Sequence, residues 1–185
     1  MAMGEKNRII FMNNLEEILE FGIKREGEER RDGGCAIVFH PETQRYAVFR
    51  DLKNGLMGLF GGGFNEGENE QDGVIRELIE ESGLIDFLYV ERIEKIKTHY
   101  FNSNKKINRV ALATCFLVIL KSTNSQLPKL EEHEKIELVW TTPSEILSHW
   151  KSRNHNKDYD HWIYLLGKGV SRLKELGHDR ESILE

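Results

Sequence analysis

The chain has 185 residues, enough for one domain with its own core and too few for two ordinary ones. Its 39% hydrophobic and 31% charged residues are the balance of a soluble globular protein. The formal net charge of -5 argues against a duplex nucleic acid as partner, since that needs a basic surface. An acidic protein that handles an anionic phosphate compound needs a local cation, and a bound metal ion is one way to supply it. Cys35 and Cys115 each lie in an apolar strand-like run and lack metal-site spacing, so they read as buried free thiols of a reducing compartment. The opening Met-Ala-Met-Gly-Glu-Lys leads into no apolar signal-peptide core, and no run is long enough for a membrane span. The cytoplasm is the expected location.

In chain order, residues 14–24 read as a short helix with Leu15, Ile18, Leu19 and Phe21 as its apolar positions. A charged connector follows from Lys24 to Asp32. Cys35–His40 and Arg45–Arg50 read as a hairpin around the turn Pro41-Glu42-Thr43-Gln44. Residues 51–67 carry six glycines and read as a loop whose backbone approaches something closely. A helix is expected over about Glu70–Ser82, with Asn69 as N-cap and Gly83 as stop. Two long strands, about Phe87–Phe101 and Ile107–Lys121, flank the turn Asn102-Ser103-Asn104-Lys105-Lys106. A short strand Ile136–Trp140 leads to Thr142-Pro143-Ser144-Glu145, a helix start with cap, proline and returning glutamate. A last amphipathic helix is expected over about Tyr159–Leu176. The whole reads as one α/β domain with a mixed sheet and flanking helices.

The chemistry lies in residues 62–84. At 100° per residue Val74, Ile75, Leu78 and Ile79 share one helical face, and Glu77, Glu80 and Glu81 share the opposite one. Three carboxylates at i, i+3 and i+4 repel one another. A hard divalent cation such as Mg²⁺ or Mn²⁺ would offset that repulsion, because such ions take oxygen ligands. The bland alternative is a solvated acidic helix face. Carboxylates, a hard metal and exposed glycine backbone together suit phosphoanhydride chemistry.

This segment resembles the Nudix box, G-x5-E-x7-R-E-U-x-E-E-x-G-U with U a bulky aliphatic residue. Gly62, Glu68, Arg76, Glu77, Leu78, Glu80, Glu81, Gly83 and Leu84 fill every specified position. The resemblance implies an α/β/α sandwich with a mixed sheet, the box forming loop–helix–loop. It further implies hydrolysis of a nucleoside diphosphate linked to another moiety, with Mg²⁺ or Mn²⁺ as cofactor. Carried over by position, Glu77, Glu80 and Glu81 would be the metal ligands, with the Gly62 carbonyl a possible further one. Glu81, Glu77 and Arg76 would be catalytic, Arg76 orienting Glu77 and Glu68 supporting that pair. Gly62 and Gly63 would meet the substrate. Two positions depart from the family's habit: Gly73 stands where alanine is more common, and Phe60-Gly61 replaces the usual proline before the glycine pair.

In this family a general base or further ligand often comes from a loop outside the box. The acidic loop Glu131-Glu132-His133-Glu134 is suitably placed, with Glu134 the first choice and Glu132 the second; the alternative is a solvated connector. His149, His155 and His161, six apart, rotate off a common helix face, which argues against zinc. The segment His99-Tyr100-Phe101-Asn102 either stacks on a base, through Tyr100, or packs on the sheet. Trp140, Trp150 and Trp162 suit a core or a subunit interface. The apolar positions of 14–24 and 159–176, Phe21 and Trp162 among them, suggest self-association as a homodimer.

Two rival readings stand beside the enzyme. A non-catalytic ligand-binding or regulatory domain of the same type would be expected to have lost box glutamates, and none is lost. An RNA 5′-end pyrophosphohydrolase would suit Lys105, Lys106 and Arg109, but the net charge of -5 opposes it.

Overall fold

A computed structural model describes residues 18–102, 105–132, 135–154 and 157–178. Within them the order is β1 (Glu20–Gly22), β2 (Glu29–Arg30), β3 (Gly33–His40), β4 (Arg45–Asp51), β5 (Met57–Gly58), β6 (Phe60–Gly63), α1 (Glu70–Ser82), β7 (Phe87–Asn102), β8 (Ile107–Leu120), β9 (Ile136–Thr141), α2 (Pro143–Arg153) and α3 (Asp160–Glu175). The strands form a mixed sheet ordered β1-β7-β8-β3-β4-β5, and β2 joins β8, β6 joins β3 and β9 joins β4. The central pair, β3 and β8, is parallel and in register from Gly33↔Ala113 to Phe39↔Ile119.

Side-chain alternation along these central strands separates two cores. Ile37 and Phe39 pack with Cys115, Leu117 and Ile119 against α2 and α3, through Ile146, Trp150, Leu165, Leu166 and Val170. Ala36 and Val38 pack with Phe116, Val118 and Leu120 against α1, through Val74 and Leu78. Helices therefore cover both faces, and the architecture is the expected α/β/α sandwich.

The caps read in the sequence are formed. The Asn69 side chain accepts from the Gln71 N–H, and Gly83 ends α1 at φ 78°. Thr142 and Glu145 complete a reciprocal capping box at α2, with proline at its first turn. None of the described helices is long and apolar enough to cross a membrane.

Several of these expectations are corrected or refined by the structure. The helix over 14–24 falls partly outside the described residues, and Glu20–Gly22 is instead a strand, parallel to Lys97–His99 of β7. Ile18 and Leu19, half of the supposed apolar stripe, are exposed, while Phe21 turns inward onto the Tyr164 ring at 5.1 Å. So short a run fits periods of two and of 3.6 almost equally, and the edge of β7 decides it. The connector 24–32 contains β2, paired with Arg109 and Val110. The glycine stretch 51–67 contains β5 and β6 rather than being loop throughout. Cys115 is buried as expected, but Cys35, its partner in register, is only partly so. Phe21 and Trp162, which suggested self-association, both pack within the chain: Trp162 lies 5.4 Å from Trp150 and 5.7 Å from Tyr159.

Trp150 anchors α2. Its ring is fully buried and its Nε1–H donates to the Met57 carbonyl at 2.8 Å. Trp150→Ala removes the ring and leaves that carbonyl unpaired, so it should cost about 3–5 kcal/mol in a urea unfolding titration. A cost below about 1 kcal/mol would mean that α2 is not fixed by this contact.

Candidate active site

The site is built where β6 meets α1. β6 runs antiparallel to β3, with Gly33↔Gly63, Gly34↔Gly62 and Cys35↔Gly61 opposed. Glycine is needed here because side chains would collide: a Cβ on Gly61 would run into the Gly34 carbonyl oxygen, and one on Gly62 would lie 2.5 Å from the Glu77 carboxyl carbon. Absence of these side chains lets the Glu77 carboxylate rest on the backbone at Gly62. One helical turn further on, Glu81 Oε2 accepts the Gly61 N–H at 3.0 Å. Two of the expected carboxylates thus meet the glycine strand.

Arg76 holds the arrangement. Its guanidinium donates to both Glu68 oxygens at 2.8 and 2.9 Å, to Glu77 Oε1 at 2.7 Å, to Glu80 Oε2 at 3.1 Å and to the Gly63 carbonyl at 3.2 Å. The guanidinium and the Asn65 N–H pull the Glu68 carboxyl down to about 2, and the same partners, Glu68 first, raise Arg76 above its ordinary range. Gly73 gains a reason here. A Cβ on it would approach Phe64 Cδ1 to 2.6 Å and Glu68 Oε2 to 2.9 Å, so alanine would disturb the Glu68–Arg76 pair.

A cleft of about 680 Å³ opens beside this cluster. Gly62, Gly63, Glu77, Glu81 and Tyr100 all line it, as do Tyr159, His161 and Trp162 from the start of α3. Arg76, Glu68 and Glu80 do not line it. Of the acidic loop, Glu131 lines the cleft, while Glu132 is exposed in a turn outside it; Glu134 lies outside the described residues. Arg31, which belongs to no motif of the sequence, also lines the cleft. Arg31 follows β2 in a stretch read as a solvated connector, and only strand pairing places it here. His149 Nε2 accepts from the Met57 N–H at 3.0 Å, and burial pushes His161 down to about 4; His155 lies outside the described residues.

The donors that could hold a hard cation are all oxygen: Glu77 and Glu81 at the glycine strand, Glu80 one turn along, and the β6 carbonyls. That set fits Mg²⁺ or Mn²⁺ chemically. Among the described residues no three His, Cys, Asp or Glu side chains converge on one point, because Arg76 draws Glu77 and Glu80 toward itself.

The family model described as NUDIX domain matches residues 30–165. The chain belongs to the NUDIX domain family. Among solved structures it is similar to a Listeria monocytogenes protein assigned as a NUDIX hydrolase, at 21% identity and TM-score 0.59, covering 81% of this chain and 99% of that one. It is similar to the NUDIX domain of Shewanella oneidensis NrtR complexed with ADP ribose, at 16% identity and TM-score 0.57, covering 79% and 90%. It is also similar to the C. elegans Ap4A hydrolase, at 14% identity and TM-score 0.53, covering 78% and 98%. Among curated protein sequences none matches. With the family's box complete, the chain is a Nudix-type pyrophosphohydrolase.

The Glu68–Arg76 pair has a pH signature. The Glu68 carboxyl is depressed on folding, so its contribution to stability is present above the ordinary value of 4.5 and is lost as pH falls toward about 2. The stability gap between the native sequence and Glu68→Gln, read from urea titrations, should narrow steadily between pH 4.5 and about 2. A gap that is flat with pH would contradict the ion pair.

Proposed function

We propose that the chain hydrolyses a phosphoanhydride bond in a nucleoside diphosphate linked to another moiety, using Mg²⁺ or Mn²⁺. The observation that carries this reading is the docking of Glu77 and Glu81 on the Gly61–Gly62 backbone at the edge of the cleft. Glu77, Glu80 and Glu81, with the Gly62 carbonyl, would hold the ion. When bound, such an ion neutralises phosphate oxygens, activates water and stabilises the leaving group. Arg76 fixes the orientation of Glu77 through its 2.7 Å bond, and Glu68 in turn fixes Arg76.

The cleft has the volume of a small-ligand site, and Tyr100, Tyr159 and Trp162 offer aromatic surface for a nucleobase. ADP ribose, bound to the similar NrtR domain, and Ap4A, in the name of the similar hydrolase, are both compounds of the proposed class. The free thiols Cys35 and Cys115 suit a reducing compartment such as the cytoplasm.

Excess chelator should abolish turnover of nucleotide-diphosphate compounds, and added Mg²⁺ or Mn²⁺ should restore it. Glu81→Gln should lower kcat by orders of magnitude while leaving metal-free stability nearly unchanged or slightly raised, since a like charge is removed. Full activity in chelator, or a near-normal kcat in the variant, would sink the metal-ligand assignment.

Attack on phosphorus also needs a water that loses its proton at the right moment, and metal-bound carboxylates are poor free bases. We assign that step to the loop 131–134, with Glu134 first and Glu132 second. Glu134→Gln should lower kcat at neutral pH, spare substrate and metal affinity, and remove the acidic limb of the pH–rate profile. Wild-type behaviour in Glu134→Gln and Glu132→Gln alike would return the loop to a solvated connector, Glu131 excepted.

A further inference from the structure

The cleft carries opposite charge on the two sides of β6. Side chains alternate across an extended strand, so Gly62 faces α1 and Glu77, while Gly63 faces the side on which Arg31 lies. A Cβ on Gly63 would stand 2.5 Å from Arg31 Nε and 2.8 Å from its Nη2, so the guanidinium lies directly over that glycine. The Arg31 N–H donates to the Val110 carbonyl at 3.0 Å, which ties its backbone to β8.

The charges around it are already matched to one another. Arg30 pairs with Asp32 at 2.7 Å, Arg109 with Glu29 at 3.1 Å, and Asp158 with Arg25 at 3.5 Å. Among the described residues no carboxylate pairs with Arg31. Arg109 and Lys105 line the same cleft, and Tyr100 stands opposite Arg109 in the β7–β8 register. Burial raises the Tyr100 phenol, and the charges of Arg109 and Arg31 oppose that rise, which places both guanidinium groups within electrostatic reach of its hydroxyl. On the same floor the buried Thr98 hydroxyl has no hydrogen-bond partner among the described residues. A chain with net charge -5 thus concentrates cations along one wall of its cleft.

We propose that Arg31 is a specificity-determining residue that receives a phosphate group on the cleft side of β6. It would select substrates that carry a further phosphate beyond the diphosphate, of the tri- or polyphosphate class, over diphosphates joined to an uncharged sugar. This rests on the hydrolase reading above. The planar fork of Arg31 matches two phosphate oxygens at once, and a lysine keeps the charge but loses that match. A diphosphate at the carboxylate edge leaves the fork to its neighbour along the cleft.

The test is a calorimetric titration of inorganic tripolyphosphate and of pyrophosphate, in Mg²⁺, into the native protein, Arg31→Ala and Arg31→Lys. Arg31 is exposed, and thermal melts establish that each variant is folded. Arg31→Ala should weaken tripolyphosphate about tenfold or more and pyrophosphate much less, with Arg31→Lys in between. Unchanged tripolyphosphate affinity, an equal loss for both anions, or no tripolyphosphate binding by the native protein would overturn the proposal. Repeating the titration in chelator separates the two readings. An Arg31-dependent preference that survives without metal supports the arginine assignment even if the protein turns over no nucleotide, and that second result would overturn only the hydrolase reading.

Discussion

The arrangement depends on how one cation is shared among carboxylates that would otherwise push α1 apart. Glu77, Glu80 and Glu81 sit on one helical patch, and like charges at these spacings destabilise an isolated helix. Arg76, at the N-terminal edge of that patch, binds Glu77, Glu80 and the more distant Glu68, and also the Gly63 carbonyl. It therefore offsets repulsion within the helix and ties the helix to the glycine strand in one step. A lysine has no fork with which to reach these partners together. The same demand extends to Gly73, whose missing side chain makes room for Glu68 and Phe64 above the helix. A position that costs helix propensity is offset by the ion pair that it admits.

The second constraint is the contact between two glycine-rich strands. Gly33 and Gly34 of β3 oppose Gly63 and Gly62 of β6, so the backbones pack where side chains would stand in the way. Further along β3 the partner changes to β4, from Val38 to His40, and the sheet divides there. The division leaves β6 as a short strand beside the cleft, touched by α1 carboxylates from one face and by Arg31 from the other. Sheet geometry rather than side-chain packing puts anion-repelling and anion-attracting groups within a residue of each other.

Much of this was legible in the sequence, and the exceptions have physical causes. The α1 helix reads directly because Asn69 and Gly83 end it and a 3.6 period runs between them; its limits, Glu70 and Ser82, are those expected. Of the box positions, Glu77 and Glu81 meet the glycine strand at Gly62 and Gly61. The strand Glu20–Gly22 is not legible, because its partners are distant in sequence: Lys97, Thr98 and His99 in register, the His99 ring between Glu20 and Glu28 at 2.7 and 2.8 Å, and the Tyr164 ring against Phe21. β6 was not legible because a glycine run signals only permitted conformations, and pairing with β3 selects the extended one. Arg31 was hidden for the same reason: one basic residue in a charged stretch is distinguished only by what its own strand pairs with.

The distribution of charge also bears on how an acidic protein can take an acidic ligand. Net charge acts at long range and is screened within about 8–10 Å at ordinary ionic strength. Selection is decided inside the cleft, where the local pattern outweighs the total. Arg76 is almost wholly committed to Glu68, Glu77 and Glu80, so it contributes little attraction of its own. Arg109 is partly matched by Glu29. In the cleft the Arg31 guanidinium is paired with no carboxylate among the described residues, and in the proposed reaction a metal ion would add attraction at the carboxylate edge. These sites differ in kind. A hard cation takes phosphate oxygens from any direction that its coordination leaves open, whereas a guanidinium demands two oxygens in its own plane. The carboxylate edge is therefore suited to the bond that breaks, which every substrate of the class shares. The arginine wall is suited to the part of the substrate that differs from one compound to the next.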